Sequence, residues 1–232
     1  MWPFAEMRAF ARIRGRMKAQ PMVSRGRDTG NGFEVQETAN ERQPPLYLQR
    51  VFAQVDPFEL RLLRRFALYR SRPAALKLAL VVNRLGDGWI YPILALVVLA
   101  YPGWIPIKVV LTALLAAGLA HVVYPLIKTY MARPRPFEKD LTLIVAAAPL
   151  DKYSCPSGHV MTATAVFLPF ALASLPLGLG LLVVWCLFAW ARIVLAHHYA
   201  SDLVAGVAVG AASATVSSRL LIPSLFALLG LT

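Results

Sequence analysis

Cysteine is scarce in this chain: Cys155 and Cys186 are the only two. They form no disulfide framework, and their spacing fits no thiolate metal site. Charge is scarce too, at 16% of 232 residues against 58% apolar, with a mean hydropathy of +0.57. A soluble domain of this length needs far more polar surface. The composition therefore points to a multispanning membrane protein, and one domain is enough for its length. No apolar core of adequate length follows Met1, so no secretory signal is read there. No internal repeat is evident. Acidic residues number 12 against 24 Lys and Arg, a formal net charge of +12. Such an excess could serve nucleic acid, but its distribution argues otherwise. Sixteen of the cations lie between Arg8 and Arg84, ahead of the main apolar region. Cations flanking membrane helices contact anionic lipid head groups or set topology, so the expected partner is a bilayer and not a nucleic acid.

What the chain does have is a series of apolar runs behind a basic leader. Residues 1–45 read as a basic, flexible tail, in which Met1 to Met17 has the pattern of a short amphipathic helix. Residues 46–88 interleave Leu60, Leu62, Leu63, Phe66 and Leu68 with Arg61, Arg64, Arg65, Arg70 and Arg72. That charge density is too costly for a lipid-buried span. It suits amphipathic helices in the interface, with arginine heads reaching out to phosphates. Pro73 breaks or restarts the helix, and Gly86-Asp87-Gly88 marks a turn. Residues 89–232 form the membrane core. Its spans are expected at roughly Trp89–Tyr101, Ile105–Tyr130, Gly158–Pro176, Leu177–Ala196 and Asp202–Leu221. The first is short for a bilayer of about 30 Å and has room to extend back through Leu76–Leu85. Leu141–Leu150 is too short to span and is expected to be re-entrant or interfacial. Gly206 and Gly210, four apart, allow close helix packing. The fold class is all-α: an integral-membrane bundle of about five spans with an interfacial basic N-terminal segment.

Three polar clusters stand at the ends of these runs. The first is Lys128-Thr129-Tyr130-Met131-Ala132-Arg133-Pro134-Arg135-Pro136. The second is Pro156-Ser157-Gly158-His159. The third holds Arg192, His198 and Asp202. Spans two and four end, and spans three and five begin, on one side of the membrane. Alternation alone therefore gathers all three clusters at one face. Their chemistry is that of phosphate transfer. A phosphomonoester carries about two negative charges near neutral pH. Lys128, Arg135 and Arg192 can surround them, and the Arg fork donates in pairs. The Ser157-Gly158 backbone opens a helix, where anions are favoured. Gly158 permits close approach, and the Ser157 hydroxyl adds a donor. His198 stands four residues before Asp202, a carboxylate able to fix its tautomer and leave the other ring nitrogen free to attack phosphorus. His159 can protonate the leaving alkoxide. No cluster offers a metal-ligand set, so neither a metal nor another cofactor is expected.

The ordered triple motif resembles the type 2 phosphatidic acid phosphatase superfamily, over roughly Trp89 to Leu221. Lys128 and Arg135-Pro136 match its first motif, Pro156 to His159 its second, and Arg192, His198 and Asp202 its third. The Ser that leads the third motif is Ala191 here. The resemblance implies metal-independent hydrolysis of a lipid phosphate monoester, such as phosphatidic acid or phosphatidylglycerophosphate, through a phosphohistidine. It implies His198 as nucleophile, His159 as acid and Asp202 as orienter. Lys128, Arg135, Ser157, Gly158 and Arg192 hold the phosphate. Polyprenyl diphosphate hydrolysis and lipid phosphotransfer remain open with the same residues. A non-catalytic lipid-binding protein would need damaged motifs, and only Ala191 departs.

Other polar residues read more plainly. Arg133 reads as a lipid-facing or substrate-rim cation, His197 as a bystander, His121 as an interhelical hydrogen bonder, Cys155 as a small loop residue and Asp87 as a turn residue. The basic leader and the cations of the first cluster fall on one side of a five-span chain. The positive-inside rule then predicts a cytoplasm-facing site in a bacterial inner membrane.

Overall fold

The computed structural model describes residues 42–143 and 145–229; the amphipathic Met1–Met17 segment and the tail up to residue 41 lie outside the described residues. Every regular element described is helical. The first, α1, covers Leu46–Arg70 and buries Phe52, Asp56, Glu59 and Leu63. These positions fall three or four apart on a single helix face. Arg61, Arg64, Arg65, Phe58 and Leu68 lie exposed on the remainder. Helix α2, Pro73–Gly86, starts on a proline in its first turn, where the missing N–H costs nothing. Gly88, at φ 133°, supplies a backbone conformation that L-residues avoid. The chain there bends by 62° into α3, Ile90–Leu99, and α2 with α3 can form one broken span.

Helix α4, Trp104–Met131, has 28 residues, about 42 Å at 1.5 Å per residue. That exceeds a hydrocarbon core of about 30 Å, so its Lys128 end can stand clear of lipid. A four-residue turn of helix, α5 (Pro136–Lys139), follows. The described part of residues 141–153 then runs without helix. Helix α6, Gly158–Ala173, is only 16 residues long, and it packs against α4, α7 and α8. It buries Val160, Met161, Ala163, Ala165, Val166, Phe167 and Phe170, which cover most of its circumference, as in a central helix. Helix α7 covers Leu175–Val194 and α8 covers Ala200–Val216. One wider π turn, Ser217–Leu221, leads into α9, Ile222–Leu228.

Among the described residues, three helices are long and apolar enough to cross a membrane, four with the bent α2–α3 pair, and α6 is a shorter apolar helix between them. The five expected spans thus correspond to α2–α3, α4, α6, α7 and α8, so the count is approximate. Gly206 and Gly210 of α8 lie on α6. A β-carbon at Gly206 would come within 2.7 Å of the Ser157 carbonyl oxygen, and one at Gly210 would strike that of Met161. Their missing side chains let the two helices meet backbone to backbone.

Candidate active site

The site is made from helix ends. α4 stops at Ala132, whose left-handed backbone (φ 40°) sends Arg133 to Arg135 back under the bundle. α7 stops before Ala196, also left-handed (φ 55°), which turns His197 and His198 inward. Left-handed backbone at a residue with a β-carbon costs roughly 1–3 kcal/mol and collects at functional sites. α6 and α8 begin nearby, and the Ser157 N–H donates to the Asp202 carbonyl at 3.0 Å, joining the two helix starts. That bond takes one of the two backbone donors the sequence offered to phosphate. The Ser157 hydroxyl, buried, has no partner among the described residues.

His198 is buried, and its partners fix its tautomer. Nδ1 lies 2.6 Å from the Ser154 carbonyl, which only accepts, so Nδ1 carries the proton. Nε2 lies 2.9 Å from Arg192 Nη2, which only donates, so Nε2 presents a lone pair. Burial pushes the His198 pKa well below 6.5, reinforced by the charges of Arg192, Arg135 and Lys128. The ring is therefore neutral. The expected carboxylate orienter is displaced: Asp202 Oδ2 is 3.7 Å from His198 Nδ1. The Asp202 oxygens are bonded instead to Arg133 Nη1 at 2.6 Å and to the Tyr199 N–H at 2.9 Å. A backbone carbonyl has taken the orienting role, and the carboxylate remains as a nearby negative charge.

His159 opens α6 beside the α2–α3 bend. Its Nε2 donates to Asp87 Oδ1 at 2.9 Å. Asp87 is thus more than the turn residue the sequence suggested. Asn83, from α2, accepts from Arg192 Nη1 and offers its carbonyl 3.3 Å from His159 Nε2. Gly86 is needed here, because a β-carbon on it would fall 2.6 Å from His159 Cδ2. Gly158 likewise faces the Tyr124 hydroxyl, which a β-carbon would meet at 2.9 Å.

Lys128 and Arg135 are both buried and share one carboxylate. Asp151 lies 2.7 Å from Lys128 Nζ and 2.5 Å from Arg135 Nη2, and it accepts from the Tyr124 hydroxyl at 2.6 Å. Burial pushes the Asp151 carboxyl up, but Lys128 and the hydrogen bonds outweigh it and leave it below its usual value. Arg135 also donates to the carbonyls of Asp151, Lys152 and His197. Asp151 lies on a loop and is 36% exposed, so the anion held between these buried cations reaches the solvent side of the site. Arg192 keeps its Nε without a partner among the described residues.

Arg133 overturns its sequence reading. It is 1% exposed, with ion pairs at 2.6 Å to Asp56, 2.7 Å to Glu59 and 2.6 Å to Asp202. Its guanidinium lies over the rings of Tyr199 and Phe52. Glu59 also accepts from the Ser201 N–H at 2.6 Å, so α1 is bonded to the start of α8. Proximity to Arg-Pro in sequence suggested a rim, whereas three carboxylates from distant segments make an interior. Ala191 is fully buried and belongs to an apolar cluster.

Of the remaining residues, His197 is buried and bonded through Nε2 to the Ala147 carbonyl at 2.8 Å. Burial, then Arg192, lowers its pKa to about 3, so it stays neutral. Burial and nearby Asp202 push the Cys155 thiol up to about 12, which leaves it unreactive. His121 bonds mainly within its own helix, to the Ala117 carbonyl at 2.9 Å. Sequence reasoning missed Asn83, Asp87, Tyr124, Asp151, Ser154, Asp56 and Glu59. Tyr124 alone was within reach, one turn before Lys128 on the same face. A cavity of about 640 Å³ opens from His159, His198 and Arg192 and extends between α3, α4 and α6 along apolar walls.

The profile of the PAP2 superfamily matches residues 108–223, half of the chain. No curated protein matches. Among solved structures, the fold is similar to that of LpxE from Aquifex aeolicus, with a TM-score of 0.54 and 22% identity over 67% of this chain and 93% of that one. It is also similar to a transmembrane PAP2-type phosphatidylglycerolphosphate phosphatase from Bacillus subtilis, with a TM-score of 0.56 and 19% identity over 78% of this chain and 92% of that one.

Proposed function

The chain belongs to the PAP2 superfamily, and on that premise we propose that it hydrolyses a lipid phosphate monoester, such as phosphatidic acid or phosphatidylglycerophosphate, through a phosphohistidine on His198 and without a metal. The carrying observation is the His198 tautomer. With Nδ1–H committed to the Ser154 carbonyl, the Nε2 lone pair faces Arg192 and the cavity that His159 shares. The cavity's apolar walls suit a substrate with a lipid tail. The similar Bacillus subtilis structure is that of a transmembrane phosphatidylglycerolphosphate phosphatase, which agrees with this reading.

In this mechanism the substrate phosphate displaces Asp151 from Lys128 and Arg135. It also takes the spare donors of Arg192 Nε and Ser157 Oγ. His198 Nε2 attacks phosphorus as the ester P–O bond breaks, and His159 delivers a proton to the leaving alkoxide. Positive charge then grows on the phosphorylated ring, and Asp202 at 3.7 Å stabilises it. Water next attacks phosphorus, giving its proton to His159 while the N–P bond breaks and His198 returns neutral. Asp202 is thus a charge stabiliser, and through Arg133 it holds the start of α8 in place. The amphipathic α1 is read as an interfacial helix, with the site facing the cytoplasm.

The test is trapping. Purified protein given lipid with a radiolabelled phosphate and quenched in alkali should carry an acid-labile label on His198. His198→Ala should abolish both label and release, and His159→Ala should slow release by roughly 10²–10⁴-fold. Turnover should persist in excess chelator. Near wild-type turnover in folded His198→Ala protein would end the phosphohistidine reading, and rescue of chelated enzyme by Mg²⁺ would end the metal-free one.

A further inference from the structure

The cavity below the catalytic groups is apolar except at one level. On α4, His121 lies one turn deeper than Tyr124, about 4.5 Å along the axis. On α6, Thr162 lies one turn deeper than His159. The two meet there: His121 Nε2 and Thr162 Oγ1 are 3.5 Å apart. His121 Nδ1 faces the Ala117 carbonyl, so it carries the ring proton and Nε2 is left as an acceptor. The Thr162 hydroxyl therefore points its proton at Nε2 across a long, weak contact, and it can turn to a better acceptor at little cost. Tyr91 of α3 also lines this cavity, and its hydroxyl is buried with no partner among the described residues. Packing of its ring on Phe167, 5.9 Å between centroids, accounts for the ring but not for the hydroxyl. Buried hydroxyls are nearly always paired, so the unpartnered Tyr91 hydroxyl calls for a ligand acceptor, and half-buried Thr162, held by one long contact to exposed His121, is a second donor in the same lining.

Resting on the phosphatase reading above, we propose that Thr162 and Tyr91 bind an ester carbonyl of an acylglycerol phosphate. With the phosphate at His198 and Arg192, a glycerol ester places its carbonyl only a few bonds from phosphorus, near the level one turn deeper. A polyprenyl phosphate places bare hydrocarbon there, leaving the Tyr91 hydroxyl buried and unpaired and Thr162 with only its long contact to His121. A site built to hydrogen-bond a substrate group rejects the analogue that lacks it, because its own donors are then stranded. The cavity therefore selects diacylglycerol phosphates over polyprenyl phosphates. Leu114, at its edge and 61% exposed, marks a side open to lipid.

The test compares kcat/KM of the full chain in detergent for three probes: dioleoyl phosphatidic acid, its dialkyl ether analogue of equal chain length, and a polyprenyl phosphate. The wild type should favour diacyl over dialkyl lipid by on the order of five- to tenfold, and polyprenyl phosphate should be no better than the dialkyl lipid. Thr162→Val with Tyr91→Phe should bring the diacyl-to-dialkyl ratio close to one, whereas Thr162→Ser should keep it. A wild-type ratio near one, or a ratio that survives in the double variant, overturns the proposal. Should the double variant fail to fold, the wild-type ratio decides alone. If neither these lipids nor a soluble aryl phosphate releases phosphate, the phosphatase reading itself falls and takes the proposal with it.

Discussion

At the scale of single residues, the chemistry depends on proton placement. His198 serves as a nucleophile only while neutral, and burial with three nearby cations lowers its pKa below the ordinary 6.5. The neutral form is complete above the folded pKa and is lost as pH falls through it. The acid limb of kcat/KM assigned to His198 should therefore lie below about pH 6.5. A pH–rate profile checks this, with His198→Ala background rates subtracted. An acid limb at the ordinary value would mean the ring is better solvated than its partners imply. Gly86 supports a second residue-scale prediction. The methyl of Gly86→Ala would sit 2.6 Å from His159 Cδ2, so the acid must move. Since misplacement by about 1 Å can cost on the order of 10²-fold, kcat should fall at least tenfold with little change in thermal midpoint. Unchanged kcat would show that the α2 end yields instead of the ring.

Among the elements, α1 has the least expected role. Its arginines and exposed apolar residues describe an interfacial helix, yet its buried stripe puts Asp56 and Glu59 against Arg133. Breaking a buried pair strands the remaining charges, at roughly 3–5 kcal/mol. Arg133→Met should therefore lower stability by about that amount and release α1 from the start of α8. Thermal unfolding in detergent, read with protease sensitivity at α1, measures both effects. A rim cation facing lipid would cost within about 0.5 kcal/mol. The helix pattern of this region was legible in the sequence, because apolar spacing is a local property. The pairing was not: Arg133 and Glu59 are 74 positions apart, and nothing near either one names the other. Likewise Asp202 was legible as a member of the site, four residues after His198. Its loss of the orienting bond to Ser154 depended on a loop 44 positions before His198.

Seen whole, the molecule gathers its catalytic groups at one end of the bundle, and the remaining question of scale is which compartment that end faces. Exposed Arg61, Arg64 and Arg65 on α1 belong to the same end, since Arg64 pairs with Asp140 at 2.6 Å, just beyond α5. Lys108 stands at the opposite end of α4. The positive-inside rule then favours a cytoplasmic site. A cysteine at Leu141, which is 90% exposed, should escape a membrane-impermeant thiol reagent in intact cells and react after permeabilisation. The background should carry Cys155→Ala and Cys186→Ser. Labelling from outside would reverse the topology and turn attention to outer-leaflet lipids, including polyprenyl diphosphate.

By itself the sequence determined the solvent, the helical class and the gathering of three motifs at one face. Each follows from composition, from the 3.6-residue period, or from the alternation of successive spans, and none needs a distance. Only the tertiary structure decided which partner each charged group takes. Asp151 holds Lys128 and Arg135, Arg133 holds Asp202, a carbonyl orients His198, and Asp87 faces His159. Buried charges and donors must be satisfied by whatever lies within about 3 Å. That neighbourhood is set by helix bends, left-handed turns and the docking of α1, which depend on contacts between segments far apart in the chain.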